Sequence, residues 1–116
     1  MEETMDLQAR GRLATLGYLN RIDMTVTDVD YPTPDGDIPI VALDGDTLVH
    51  VYYEVHPAGE QAPTMTDALK AQHRAQMHHF KKMTKIDKDV RYDIVNLTVL
   101  NEDRALLRHH RGGDDE

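Results

Sequence analysis

Two β-rich runs joined by Asp44-Gly45-Asp46 constrain this chain more than any other feature. Residues 37–43 (DIPIVAL) and 47–56 (TLVHVYYEVH) are dense in Val, Ile, Leu and Tyr, which fit a pleated, half-buried surface. A short Asp-Gly link between two such runs predicts a hairpin. In the second run a period of two places Val49, Val51, Tyr53 and Val55 on one face. His50, Tyr52, Glu54 and His56 fall on the other. The expectation is a strand that buries its aliphatic face and turns the polar one toward solvent or the loop that follows.

The remaining elements fall around this hairpin. Residues 4–22 (TMDLQARGRLATLGYLNRI) read as a helix, with Leu7, Leu13, Leu16, Leu19 and Ile22 near helical spacing and Gly11 and Gly17 opposing it. Residues 24–31 (MTVTDVDY) alternate imperfectly but are rich in strand formers, and TPDG at 33–36 is a turn. Residues 56–64 form a loop. Thr64 or Thr66 can cap a helix running to about Lys85, with Leu69, Ala75, Met77, Phe80 and Met83 as its buried side. Residues 91–100 (RYDIVNLTVL) predict a strand, and Leu106 and Leu107 a short edge strand before a frayed acidic tail at 111–116. The order α-β-β-β-α-β, with a further β, predicts one α/β domain over residues 1–116, a mixed sheet with helices packed on it.

Composition narrows the functional classes. With no cysteine there is neither a disulfide nor a zinc–thiolate site. No apolar run approaches the roughly 20 residues of a membrane span, and the polar opening MEETMDLQAR does not read as a signal peptide; the expected location is the cytoplasm. The net charge of −8 opposes broad nucleic-acid affinity. The charge is uneven, however. Residues 64–85 hold Lys70, Arg74, Lys81, Lys82 and Lys85 against Asp67 alone, which leaves −12 for the rest. Lys70, Arg74, Lys81 and Lys82 are therefore the candidates for a nucleic-acid contact, beside the plainer reading of a solvated helix face. There is no Gly-rich phosphate loop, no G-x-S-x-G and no Ser-His-Asp pattern.

The segment GDIPIVALDGDTLVHVYYEVHP at 36–57 resembles the type GEIDLIARDGDTLVFVEVKTR of the YraN family of small bacterial proteins. The run Asp44 to Val49 matches without a gap. The first helix (ATLGYLNR), RYDIVNLTV at 91–99 and LLRHHRG at 106–112 resemble further family segments in the same order. The resemblance implies a restriction-endonuclease-like fold, related to Holliday-junction resolvases, and a predicted metal-dependent nuclease. In that family an Asp of the second strand, a Glu and a Lys two residues apart on the third, and a Glu of the first helix build the site around Mg²⁺ or Mn²⁺.

This chain departs at each place. Arg12 stands where the helix Glu would be, Pro39 replaces the Asp, Tyr52 the Glu, and Glu54 the Lys. Proline offers no ligand oxygen, and a phenol with a reference pKa of about 10 is a poor one at neutral pH. A relocated site is conceivable: Asp37, Glu54 and His56 share a strand face and offer two carboxylates and an imidazole. His78 and His79 are adjacent and His73 and His79 six apart, so neither pair has the i, i+4 spacing of a helical metal pair. The leading expectation is thus a catalytically degenerate nuclease fold with no resident cofactor. It is expected to bind DNA weakly or a protein partner, with self-pairing through the sheet as a further option. The alternative is a metal-dependent DNA endonuclease using Asp37 and Glu54.

Overall fold

The computed structural model describes residues 6–59, 66–101 and 103–112. Its elements run α1 (Leu7–Arg21), β1 (Thr25–Tyr31), β2 (Ile38–Asp44), β3 (Thr47–Pro57), α2 (Asp67–Thr84), β4 (Val90–Val99) and β5 (Ala105–His110). The strands form one sheet in the order β1-β2-β3-β4-β5. The first three make an antiparallel meander, β4 lies parallel to β3, and β5 returns antiparallel to β4. A parallel neighbour requires a crossover, and α2 supplies it. This is the mixed sheet between helices that the restriction-endonuclease-like resemblance implies. No helix among the described residues is long and apolar enough to cross a membrane.

The hairpin forms as its sequence predicts. Asp44 pairs with Thr47, leaving Gly45-Asp46 as a two-residue turn, and Gly45 takes the positive φ of 63° that such a turn needs at its first position. The imperfect alternation of β1 also has a cause. Thr27 is an extra residue between the pairs Val26↔Ala42 and Asp28↔Val41. This bulge puts Val29, opposite Ile40, on the same face as Val26 although the two are three residues apart.

Two helix expectations need correction. In α1, Leu13 is 56% exposed, and the buried line is Gly11, Thr15 and Leu19. Gly11 makes this possible: a Cβ there would stand 2.1 Å from Val55 Cγ2, so the helix seats against β3 where it has no side chain. The helix begins at Leu7 because the Asp6 side chain caps it, accepting from the Ala9 N–H at 2.8 Å; residues 4 and 5 lie outside the described residues. In α2, capped by Thr66, Met83 is 60% exposed, and Leu69, Ala75 and Met77 are only partly buried. The buried side is His73, Gln76 and Phe80, a helical spacing that a count of apolar residues passes over.

Both faces of β3 are covered. Val49 and Val51 join Leu19, Ile40, Val95 and Leu97 beneath α1. Leu48 and Tyr52 join Ile38, Phe80, Tyr92 and Ile94 beneath α2. The second face, expected to meet solvent or the 56–64 loop, is instead the floor of α2, with His50 fully buried and His56 nearly so.

Candidate functional site

The positions that the resemblance marks lie on β2, β3 and α1. The β2–β3 pairing ends at Ile40↔Val51, one residue short of Pro39, whose ring nitrogen has no hydrogen to continue a ladder. Opposite it on β1, Asp30 adopts a φ of 52°. Past this irregularity Ile38 joins the α2-side core while Ile40 stays on the α1 side.

Tyr52 is buried under α2. Its ring stacks on His73 at a centroid distance of 3.8 Å, with Tyr92 edge-on to it at 6.1 Å. Its hydroxyl donates to Gln76 Oε1. The Gln76 amide then donates to the carbonyls of Asp35 at 3.1 Å and Gly36 at 3.0 Å. Gln72 reaches the Asp35 carbonyl too, at 2.8 Å, so the 33–36 turn is tied to α2. Burial, then the neighbouring Tyr92, raises the Tyr52 pKa above its ordinary value, so the phenol stays protonated.

Next along β3, His50 packs edge-on against Phe80 at 4.9 Å. Neither ring nitrogen of His50 finds a hydrogen-bond partner among the described residues, nor do His56 Nε2 and His73 Nδ1. Burial, and secondarily His73, pushes the His50 pKa down to about 4. Burial lowers that of His73 as well.

The candidate relocated ligands do not assemble. Among the described residues no three His, Asp or Glu side chains gather as a cation site. Asp37 is exposed and precedes Pro39, outside the β2–β3 ladder; Glu54 is half-buried, and His56 is buried. The set around Tyr52 is likewise a poor fit to Mg²⁺, which takes carboxylate, phosphate and water oxygens in an octahedron; here a ring, an amide and a neutral phenol occupy the space. Arg12 pairs with Asp30 and reaches the Tyr53 hydroxyl at 3.3 Å, contacts that raise its pKa, Asp30 foremost. The basic candidates sit on the outer side of α2, with Arg74, Lys81 and Lys82 exposed and Lys70 partly buried.

A second polar cluster escaped the sequence reading. Asp93 on β4 is fully buried. Its carboxylate accepts from Arg91 Nε at 2.9 Å, from the Gly112 N–H at 2.9 Å and from His109 Nε2 at 2.8 Å. An ionised carboxylate only accepts, so His109 carries its proton on Nε2, and in the neutral ring Nδ1 accepts from the Tyr18 hydroxyl at 2.8 Å. Burial works to raise the Asp93 pKa, but His109, Arg91 and Gly112 together bring it down to about 2. Arg91 also donates to Asp44 at 2.9 Å. The cluster clasps α1, the hairpin turn, β4 and β5 at one end of the sheet. Its signal was a lone carboxylate on the aliphatic face Asp93, Val95, Leu97, which burial obliges to find partners.

No family model matches the chain. It is similar to a UPF0102 protein of Geobacter sulfurreducens. The two are 27% identical over 107 residues, which span 89% of this chain and 84% of the relative. UPF0102 is the YraN group, so the relative agrees with the resemblance carried by the hairpin. The two C-terminal segments of that resemblance, RYDIVNLTV and LLRHHRG, meet in the structure through Asp93, His109 and Gly112. The likeness there accompanies a clasp.

Proposed function

We propose that this chain is a binding protein on a nuclease-like scaffold and does not hydrolyse phosphodiesters. One observation carries the reading. At the position where the family places a ligating Glu, Tyr52 is packed on His73 and bonded to Gln76, so the space for a hydrated cation is filled by side chains. The neighbouring substitutions act in the same direction: Pro39 supplies no ligand, and Glu54 puts a negative charge where a lysine would stabilise the developing negative charge of phosphoryl transfer. No resident metal is required, and the expected setting is the cytoplasm.

The test is a branched-DNA cleavage assay on the purified chain across Mg²⁺ and Mn²⁺ titrations. The expected result is no metal-dependent turnover. Turnover abolished by Glu54→Ala would overturn the proposal and favour relocated carboxylates, Asp37 and Glu54. A protein partner is preferred over DNA, because the α2 cations Lys70, Arg74, Lys81 and Lys82 work against a chain of net charge −8.

A further inference from the structure

We propose that the groove between α1 and β5 docks an extended, acidic peptide segment of a partner protein, added as a further strand on β5. This deepens the binding reading above and rests on it, since it names the surface and the partner's chemistry.

Three observations converge. First, β5 is the last strand of the sheet, and on its far side no strand pairs with it among the described residues. An open edge offers unpaired backbone N–H and C=O groups, and strand addition uses them. Second, aliphatic side chains flank that edge. Leu13 of α1, 56% exposed, and Leu107 line the groove, while Leu106, 59% exposed, stands on the opposite face of β5. An added strand with alternating side chains would meet apolar surface on both faces. Third, the rim is cationic. Arg10, Arg21 and Arg104 line the groove against Asp103, with Arg10 also donating to the Asn101 carbonyl at 3.1 Å. Arg12 is paired with Asp30 and Arg111 reaches Asp44, so the cationic character of the groove rests on the three arginines that line it. In a chain of net charge −8, this face attracts Asp and Glu and repels further cations.

The same facts select among occupants. The groove is lined by aliphatic side chains with no aromatic ring, so it offers no platform for base stacking.

The probe is a fluorescently labelled peptide in which Asp or Glu alternates with Leu or Val. The controls are its scramble without the period of two, a version with Lys for each acid, and a single-stranded DNA oligonucleotide. Titration of the full chain is expected to give saturable binding of the alternating peptide that weakens with salt and fails for both peptide controls. Arg104→Glu and Leu13→Asp, both at exposed positions, are each expected to weaken it about tenfold or more. Amide exchange supplies the second readout: β5 amides facing away from β4 should gain protection on binding. Equal binding of the scramble, protection confined to α2, tighter binding of the oligonucleotide through Arg104, or no peptide binding would each overturn the proposal. So would concentration-dependent protection of β5 in the free chain, which would assign the edge to a second copy. The cleavage assay is independent of these outcomes, so a silent peptide with no turnover rejects the docking surface alone.

Discussion

At the scale of single residues, two glycines in one helix show how position decides the sign of an identical change. Replacing a helical glycine by alanine ordinarily stabilises by about 0.5–1 kcal/mol, because alanine loses less backbone entropy on folding. At Gly17 the new Cβ would meet only Arg21 Nη1, at 3.7 Å, so Gly17→Ala should realise that gain. At Gly11 the new Cβ would collide with Val55 Cγ2 and crowd Tyr53, and the helix would have to lift off β3. Overpacking of this kind costs about 1–3 kcal/mol, which exceeds the propensity gain, so Gly11→Ala should destabilise. Urea midpoints of the two variants are expected on opposite sides of the parent. Midpoints displaced in the same direction would mean that α1 does not seat on Val55.

Among the elements, α2 stands apart because polar contacts fix its placement. Gln76 is its pivot, accepting from Tyr52 and donating to Asp35 and Gly36. Gln76→Leu keeps the bulk but leaves the buried Tyr52 phenol without its acceptor, a loss of about 1–3 kcal/mol, and it removes one of the two ties to the 33–36 turn, where the Asp35 carbonyl keeps Gln72 and the Gly36 carbonyl keeps Thr33. Hydrogen exchange should then accelerate in α2 and the 33–36 turn ahead of β3 and β4; uniform acceleration across the sheet would argue against a locally opening helix. The same contacts explain what could be read from sequence. The hairpin was legible because its apolar period, its Asp-Gly turn and its ungapped DGDTLV run agree. The buried side of α2 was not legible, because His73 and Gln76 count as polar and only the tertiary partner Tyr52 shows why they are inside. The polar face of β3 misled for the same reason: alternation reveals two faces but not whether a later helix covers the second. The Asp93–His109 clasp joins residues sixteen apart, and nothing local in either strand specifies that pairing.

For the whole molecule, buried neutral histidines set a dependence on acid distinct from that of the carboxylates. His50 sits under α2 with His73 facing it from the helix and the rings of Tyr52 and Tyr92 nearby. Its folded pKa of about 4 lies below the unfolded value near 6.5. Between those limits the unfolded chain binds the proton first, so stability is greatest above about pH 6.5 and falls as the pH drops toward 4, by about 3 kcal/mol from His50 alone. His73 is displaced in the same direction and deepens the fall. Asp93 enters later. Its folded pKa of about 2 is below the ordinary carboxylate value, so its contribution holds above about pH 4 and fades only as the pH approaches 2. Chemical denaturation at intervals from pH 7 to 2 should therefore show a first decline in midpoint between 6.5 and 4 and a second below 4. His50→Leu fills the same apolar contact with Phe80 and removes the proton-binding group, so it should flatten much of that decline while leaving the lower one in place. If the variant followed the parental curve through both intervals, the histidines would not be the groups that acid expels from beneath α2.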